Sequence, residues 1–298
     1  KSFWNQPYLA HSLATAYPMG TFAKRLGQVA ARSLESESKN ILKTSAANKV
    51  PGSLSLALDG TLREGHNMRV FGIGTIASMA NRARYARFTA SMHAVYSAME
   101  AELDATCAKS SPAVHSLWAR HGNTLRRAPA LRLDLADVVE DLDGAVSTIS
   151  PATKHYVQGI HEAGVDDRAS GGARMFGHVY CRYFADLFGG SVLASPTRAA
   201  LSLPKDTPRH YAFDLPAAAA GQTGTGDGRR AFIEEVYSSF NEAGEMLDPE
   251  AFSKVVAESR RAFQFNVGVY GEEPMMYDAM RGSFNIVTGY VAQTVRGA

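Results

Sequence analysis

The stretch Arg182–Leu193, RYFADLFGGSVL, sets an arginine and an aspartate beside an adjacent glycine pair, Gly189-Gly190. Two glycines inside a helix cost about 2 kcal/mol relative to alanines. They permit a kink, and they leave bare backbone against which something can press. The thing pressed there is either a neighbouring helix or a flat ligand.

Other helices have to position such a segment. Tyr85–Ala105 puts Phe88, Met92, Val95, Tyr96, Met99 and Leu103 on one face at three- and four-residue steps. Pro112–Leu125 reads as a second helix and Asp134–Leu142 as a short third. Pro151–Ala163 starts with proline in the first turn and ends before Gly164. Ala173–Leu193 holds the glycine pair, Arg230–Glu245 and Pro249–Tyr270 follow, and a weaker pattern continues to Val295. No window alternates with period two, so the expected fold class is all-α. Leu203–Gly228, with three prolines, an alanine run and GQTGTGDG, reads as an inserted loop. It lacks the Gly-Lys-Ser/Thr ending and the preceding strand of a phosphate-binding loop. The expected organisation is a basic arm over 1–54, a helical domain over 55–272 and a C-terminal extension over 273–298. Within the arm, Phe22–Asn48 has helical spacing, and Pro51-Gly52 mark a joint.

Composition narrows the function classes. The 298 residues are 45 % hydrophobic and 20 % charged, with a formal net charge of +2. That is ordinary for a globular chain and gives no field that argues for nucleic acid. Cys107 and Cys181 form no CxxC pair and read as buried small hydrophobes. No run reaches the roughly 18 apolar residues of a membrane span. His115, His121 and His210 show no ligand spacing and read as solvated. Residues 1–34 contain no Asp or Glu, whereas Lys24, Arg25 and Arg32 are basic. This resembles the neighbourhood of an organellar targeting segment, a longer presequence having been removed. The expected location is an organelle, a plastid ahead of a mitochondrion.

The glycine-pair helix resembles the heme oxygenase signature RYLGDLSGGQVL. Other segments resemble the same family in the same order. ARFTASMHAVYSAMEAEL over 86–103 is similar to its second core helix, and ALRLDL over 130–135 to its ALEQDL. HYVQGIHEAG over 155–164 is similar to RYVxxLHEVG, and KVVAESRRAFQFNVGVY over 254–270 to the last core helix. The resemblance implies a heme oxygenase-like multi-helical bundle with an N-terminal extension. It implies heme between a proximal and a kinked distal helix, with cleavage by O2 and electrons to biliverdin, CO and iron. It places Asp186 at the catalytic carboxylate position, and Arg182, Tyr96, His178 and Asn266 in a distal polar network. A carboxylate so placed can hold water and relay a proton; equally, these groups can simply satisfy one another between buried helices. Gly189, Gly190, Ala185, Phe188 and Phe263 become heme contacts, and Arg63 a basic position for a propionate.

The departures are as informative. Ala185 stands for the family glycine before the aspartate, and Phe188 for the serine before the glycine pair. Both add volume to a fitted wall, where overpacking costs about 1–3 kcal/mol. The proximal pattern LREGxxxxH is interrupted: Leu62–Gly65 is followed directly by His66. Without a gap the ligand position falls on Val70, which cannot bind iron. With a four-residue deletion the metal ligand is His66. The two positions lie one helical turn apart, about 5–6 Å. Gly72 and Gly74 weaken the helix beyond. At the propionate side, FIEEVY over 232–237 puts Ile233 and Tyr237 where the family has Lys and Arg. Glu234 and Glu235 are expected to repel carboxylates there, with Arg229 and Arg230 as substitutes. The expected function is a degenerate heme oxygenase, fold kept and catalysis lost, acting as a structural or binding subunit of an organellar complex, with no transmembrane span and peripheral to a membrane complex. The alternatives are an active enzyme and a non-catalytic binder of heme or a bilin.

Overall fold

The computed structural model describes residues 45–65, 68–215, 225–272 and 275–297. The arm before Ser45, His66 and residues 216–224 of the inserted loop lie outside the described residues. Among the described residues, twelve α-helices follow a short 3₁₀ turn, Ala47–Lys49. They are α1 (Leu54–Gly65), α2 (Met68–Ser78), α3 (Arg82–Lys109), α4 (Pro112–Leu125), α5 (Ala128–Ala136) and α6 (Leu142–Ser147). After these come α7 (Pro151–Ser170), α8 (Met175–Ala185), a π-turn (Asp186–Gly190) and α9 (Ser191–Leu201). The last three are α10 (Thr225–Glu245), α11 (Pro249–Tyr270) and α12 (Met275–Gly297). No strand occurs among the described residues, so the all-α expectation holds.

Local chemistry sets the boundaries. The Asn81 side chain accepts the Arg84 N–H at 2.8 Å and starts α3 three residues before Tyr85. Ser111, Ser150 and Asp248 cap α4, α7 and α11 in the same way. The single helix expected over 134–142 is corrected to two. Pro129 in the first turn starts α5, and Asp141 accepts the Gly144 N–H at 2.9 Å to start α6, which leaves residues 137–141 as the break. α10 begins at Thr225, before the expected Arg230, despite the poor helix propensity of Gly226 and Gly228.

The 28-residue α3 runs through the centre and packs on α7, α5 and α4. Helix α11 lies across α8, α7 and α1. Residues 45–50 belong to the packed domain: Ser45 and Asn48 are buried, and Glu234 accepts the Ala46 and Ala47 N–H groups at 2.9 and 2.7 Å. Glu234 is therefore committed to a cap.

Helix α12 is not a loose appendage. It lies flush on α2 and on α9. A Cβ on Gly282 would sit 2.0 Å from the Ile76 carbonyl oxygen, and one on Gly289 2.0 Å from that of Ala199. Asn285 donates to the carbonyls of Met79 and Ala80 at 3.1 and 2.9 Å, closing the end of α2. Among the described residues no helix is long and apolar enough to cross a membrane.

Candidate ligand cavity at the kinked helix

The glycine pair bends the chain as a π-turn rather than a simple kink. Five residues, Asp186–Gly190, take the wider turn between α8 and α9. Bare backbone at Gly190 is needed: a Cβ there would lie 2.6 Å from Cδ1 of Tyr211. The loop segment carrying Tyr211 is held on two sides. Buried Asp134 accepts the Arg209 and His210 N–H groups at 2.7 and 3.0 Å, and Arg127 donates to the His210 carbonyl at 3.2 Å.

Beneath the π-turn lies a cavity of about 120 Å³, room for several waters. Phe71, Gly72 and Thr75 of α2 form one wall, and the π-turn forms the other. Ala185, Phe188, Gly189, Gly190 and Phe263 all line it, as do Tyr96, Arg182, Asp186 and Asn266.

The polar residues arrive from three helices and the π-turn. The Tyr96 hydroxyl of α3 donates to Asp186 Oδ2, and Arg182 Nη1 of α8 donates to Asn266 Oδ1 of α11 at 3.1 Å. Asn266 in turn donates to Cys181 Sγ at 2.9 Å. Arg182 lies over the Tyr96 ring at 5.3 Å, with Nη2 3.9 Å from Asp186 Oδ1. Burial pushes the Tyr96 hydroxyl well above its usual range, so it remains a donor. Arg182 Nε is buried with no partner among the described residues. A buried donor of this kind calls for water or a ligand acceptor.

His178 is placed elsewhere. It is fully buried on α8 and absent from the cavity lining, with Nε2 3.0 Å from Glu258 Oε1. Arg63 is exposed on α1, its Nε donating to the Asp59 carbonyl at 3.3 Å. The sequence expectation of solvated histidines is corrected for two of three. His121 is 2 % exposed, paired with Ser239 Oγ at 2.8 Å, and burial pushes its pKa down to about 4. His210 is buried against Asp134 through Nδ1 at 2.7 Å. His115 is exposed, 3.3 Å from Cys107 Sγ. The expected repulsive acids are also reassigned: Glu234 caps the 3₁₀ turn and Glu235 is exposed. The negative group at that end is Asp59, which the sequence reading passed over. Both the Tyr180 and Tyr237 hydroxyls donate to its Oδ1. The one sequence signal was a lone acid in the otherwise apolar run LSLALDG.

These positions are those of a known family. A heme oxygenase family model matches residues 73–272. Human heme oxygenase 1 is 28 % identical over 232 residues, covering 76 % of this chain and 73 % of its own. The chicken enzyme is 30 % identical over 182 residues, 61 % of this chain and 55 % of its own. Heme oxygenase 2 of Chlamydomonas reinhardtii, solved without heme, superposes with a TM-score of 0.63 at 23 % identity, covering 75 % of this chain and 98 % of its own. Heme oxygenase-2 of Synechocystis, solved with heme and NO, gives 0.60 at 24 %, with 76 and 85 % covered. With the match running unbroken from α2 through α11, the chain belongs to the heme oxygenase family.

Proposed function

We propose that this member keeps the family fold but not heme cleavage, and works as a binding or structural subunit in an organellar assembly. The observation that carries the reading is the filled distal wall. Phe188 is 3 % exposed, its ring centroid 5.4 Å from Phe184 and 6.3 Å from Tyr237. With Ala185 beside it, bulk occupies the wall where an iron-bound ligand and its water would need space.

The family implies heme, and the residues fit that group only in part. Arg182, with its unspent Nε, and the Tyr96–Asp186 pair suit a small polar ligand. The end lined by Tyr180 does not suit a propionate, because its hydroxyl is spent on Asp59, as is that of Tyr237 behind it. The family match also begins at residue 73, beyond both Arg63 and His66. No chemical step is therefore assigned to the group here. The subunit role is supported by Tyr277, Phe284, Val291 and Val295, all more than half exposed on α12. The acid-free stretch over 1–34 supports the organellar setting.

One observation favours a second reading, an active enzyme: the intact pairs Tyr96–Asp186 and Arg182–Asn266. Hemin titration under a reductant separates the two. The expected result is no conversion to biliverdin. Biliverdin formation would overturn the loss of cleavage. If a Soret band forms and is abolished in His66→Ala, His66 is the iron ligand.

A further inference from the structure

The cavity beneath the π-turn has the size of one small ring. Its volume is about 120 Å³. An apolar cavity of about 150 Å³ is enough to hold benzene. The lining comes from α1, α2, α3, α8, α9, α11 and the Tyr211 segment, and Ala185, which is exposed, leaves a way in from solvent. Much of the wall is aromatic. The Tyr270 ring meets Phe71 and Phe88 edge to face, at 5.1 and 5.2 Å between centroids, and Phe184 meets Phe188 in the same way at 5.4 Å. Rings packed against each other in this manner offer faces and edges to one more ring.

An apolar space alone would call for no polar ligand. Arg182 changes that. It is 5 % exposed and lines the cavity. Its Nη1 donates to Asn266 Oδ1 at 3.1 Å, its Nη2 stands 3.9 Å from Asp186 Oδ1, and its Nε has no partner among the described residues. The polar groups around it are committed elsewhere: the Tyr96 hydroxyl is given to Asp186 Oδ2, and the Asn266 amide to Cys181 Sγ. Leaving a buried N–H of a charged group unpaired is costly. The acceptor it calls for is one that the described residues do not bring.

The charge of that acceptor follows from the same contacts. Arg182 already faces Asp186, one helical turn further on. A ligand carboxylate would have to share the guanidinium with this acid and give up its own hydration. A neutral hydroxyl or carbonyl oxygen accepts from Nε without adding a charge.

We infer that this cavity is a binding site for a neutral, single-ring aromatic molecule, a phenol or an aryl carbonyl compound, whose oxygen accepts from Arg182 Nε while its ring packs among Phe71, Phe88, Phe188 and Phe263. The inference rests on the reading of the chain as a binding member that has lost heme cleavage, and names the ligand class for it. Arg182 is the specificity-determining residue; it performs no chemistry.

The test titrates the full chain with phenol, toluene, benzoate and 2-naphthol, read by calorimetry. Phenol is expected to bind about tenfold more tightly than toluene, which lacks the oxygen, and than benzoate, which carries the charge. 2-Naphthol, with the same hydroxyl on two rings, is expected to bind about tenfold more weakly than phenol as well. In Arg182→Met, which keeps an apolar stem and removes Nε, phenol and toluene should come within about twofold of each other. Failure of phenol to bind overturns the inference, as does any of the other three probes binding as tightly as phenol. A phenol preference kept in full by Arg182→Met overturns it too. The probe series on the unaltered protein decides even if the variant does not fold. Biliverdin formation from hemin would sink the loss of cleavage and leave the phenol titration untouched, so the two failures are distinguishable.

Discussion

Glu258→Ala is expected to lower the unfolding free energy by about 3 kcal/mol, read as a fall in the urea midpoint. Glu258 is 1 % exposed on α11 and serves two arginines and a histidine. Arg174 reaches it from the α8 N-terminus at 2.5 Å, Arg261 from its own helix at 3.2 Å, and His178 at 3.0 Å. The arginines reach solvent and can rehydrate. His178 cannot: it is fully buried, and its Nδ1 already lacks a partner among the described residues. Removing the carboxylate leaves the whole imidazole unsatisfied, which makes up most of the cost. Burial alone would raise the Glu258 carboxyl, but hydrogen bonds from His178 and Arg174 outweigh it and hold the group at about 2. The folded value lies below the ordinary 4.5, so its stabilisation is present above that pH and is lost as the pH falls toward 2. His121, pushed from 6.5 down to about 4, gives a separate loss between those values. Asp167 works against both: burial pushes it up to about 6, so its contribution is present in acid and is lost as pH rises through that value. Glu258→Gln should therefore flatten the thermal stability profile below pH 4.5 and spare the drop above it. A profile in Glu258→Gln that keeps its full acid limb would refute this assignment.

Gly177→Ala should cost about 3 kcal/mol despite adding one methyl group. The new Cβ would stand 2.5 Å from the Ser259 nitrogen and 2.8 Å from the Glu258 carbonyl carbon. Both are backbone atoms of α11, so no rotamer change relieves the contact, and α8 must move off its partner. That shift would disturb Arg182 and Asn266, which meet across the same pair of helices. Gly268→Ala is the control. Its Cβ meets only Ala152 Cβ, at 3.7 Å, and alanine favours the helix by about 1 kcal/mol. Urea midpoints of the two variants should move in opposite directions; a Gly177→Ala protein as stable as the parent would show that α8 and α11 do not pack this closely.

Periodic apolar faces and caps act within a few residues, so the helices and the bend at Gly189-Gly190 could be read from the sequence. Tyr96, Arg182, Asp186 and Asn266 were legible through a resemblance spread over several ordered segments. Asp59 was not. Four residues before Arg63, it looks like half of a helix-surface pair. Its real partners, Tyr180 and Tyr237, lie 121 and 178 positions away. His121 and His210 were missed for the same reason. Each is given a hydrogen-bond partner by a distant segment, Ser239 and Asp134 respectively, and that partner makes burial tolerable. The π-turn was read as a kink because glycines license a bend without specifying its form. In the folded chain Tyr211 fills the space that a side chain at Gly190 would take.

The flush seat of α12 has a consequence for the order in which the protein is made. Helix α2 supplies one wall of the cavity, and its other face, Ile73, Ile76 and Ala77, is covered by Ala279 of α12. The carbonyl of Met79 waits for Asn285, 206 residues downstream. At about 5–20 residues per second of synthesis, that face stays bare for roughly 10–40 s on the ribosome. The face of α2 opposite the cavity is therefore covered only once α12 has been made. A chain cut before Met275 would expose to chaperones the apolar strip, Ile73, Ile76 and Ala77, that α12 covers.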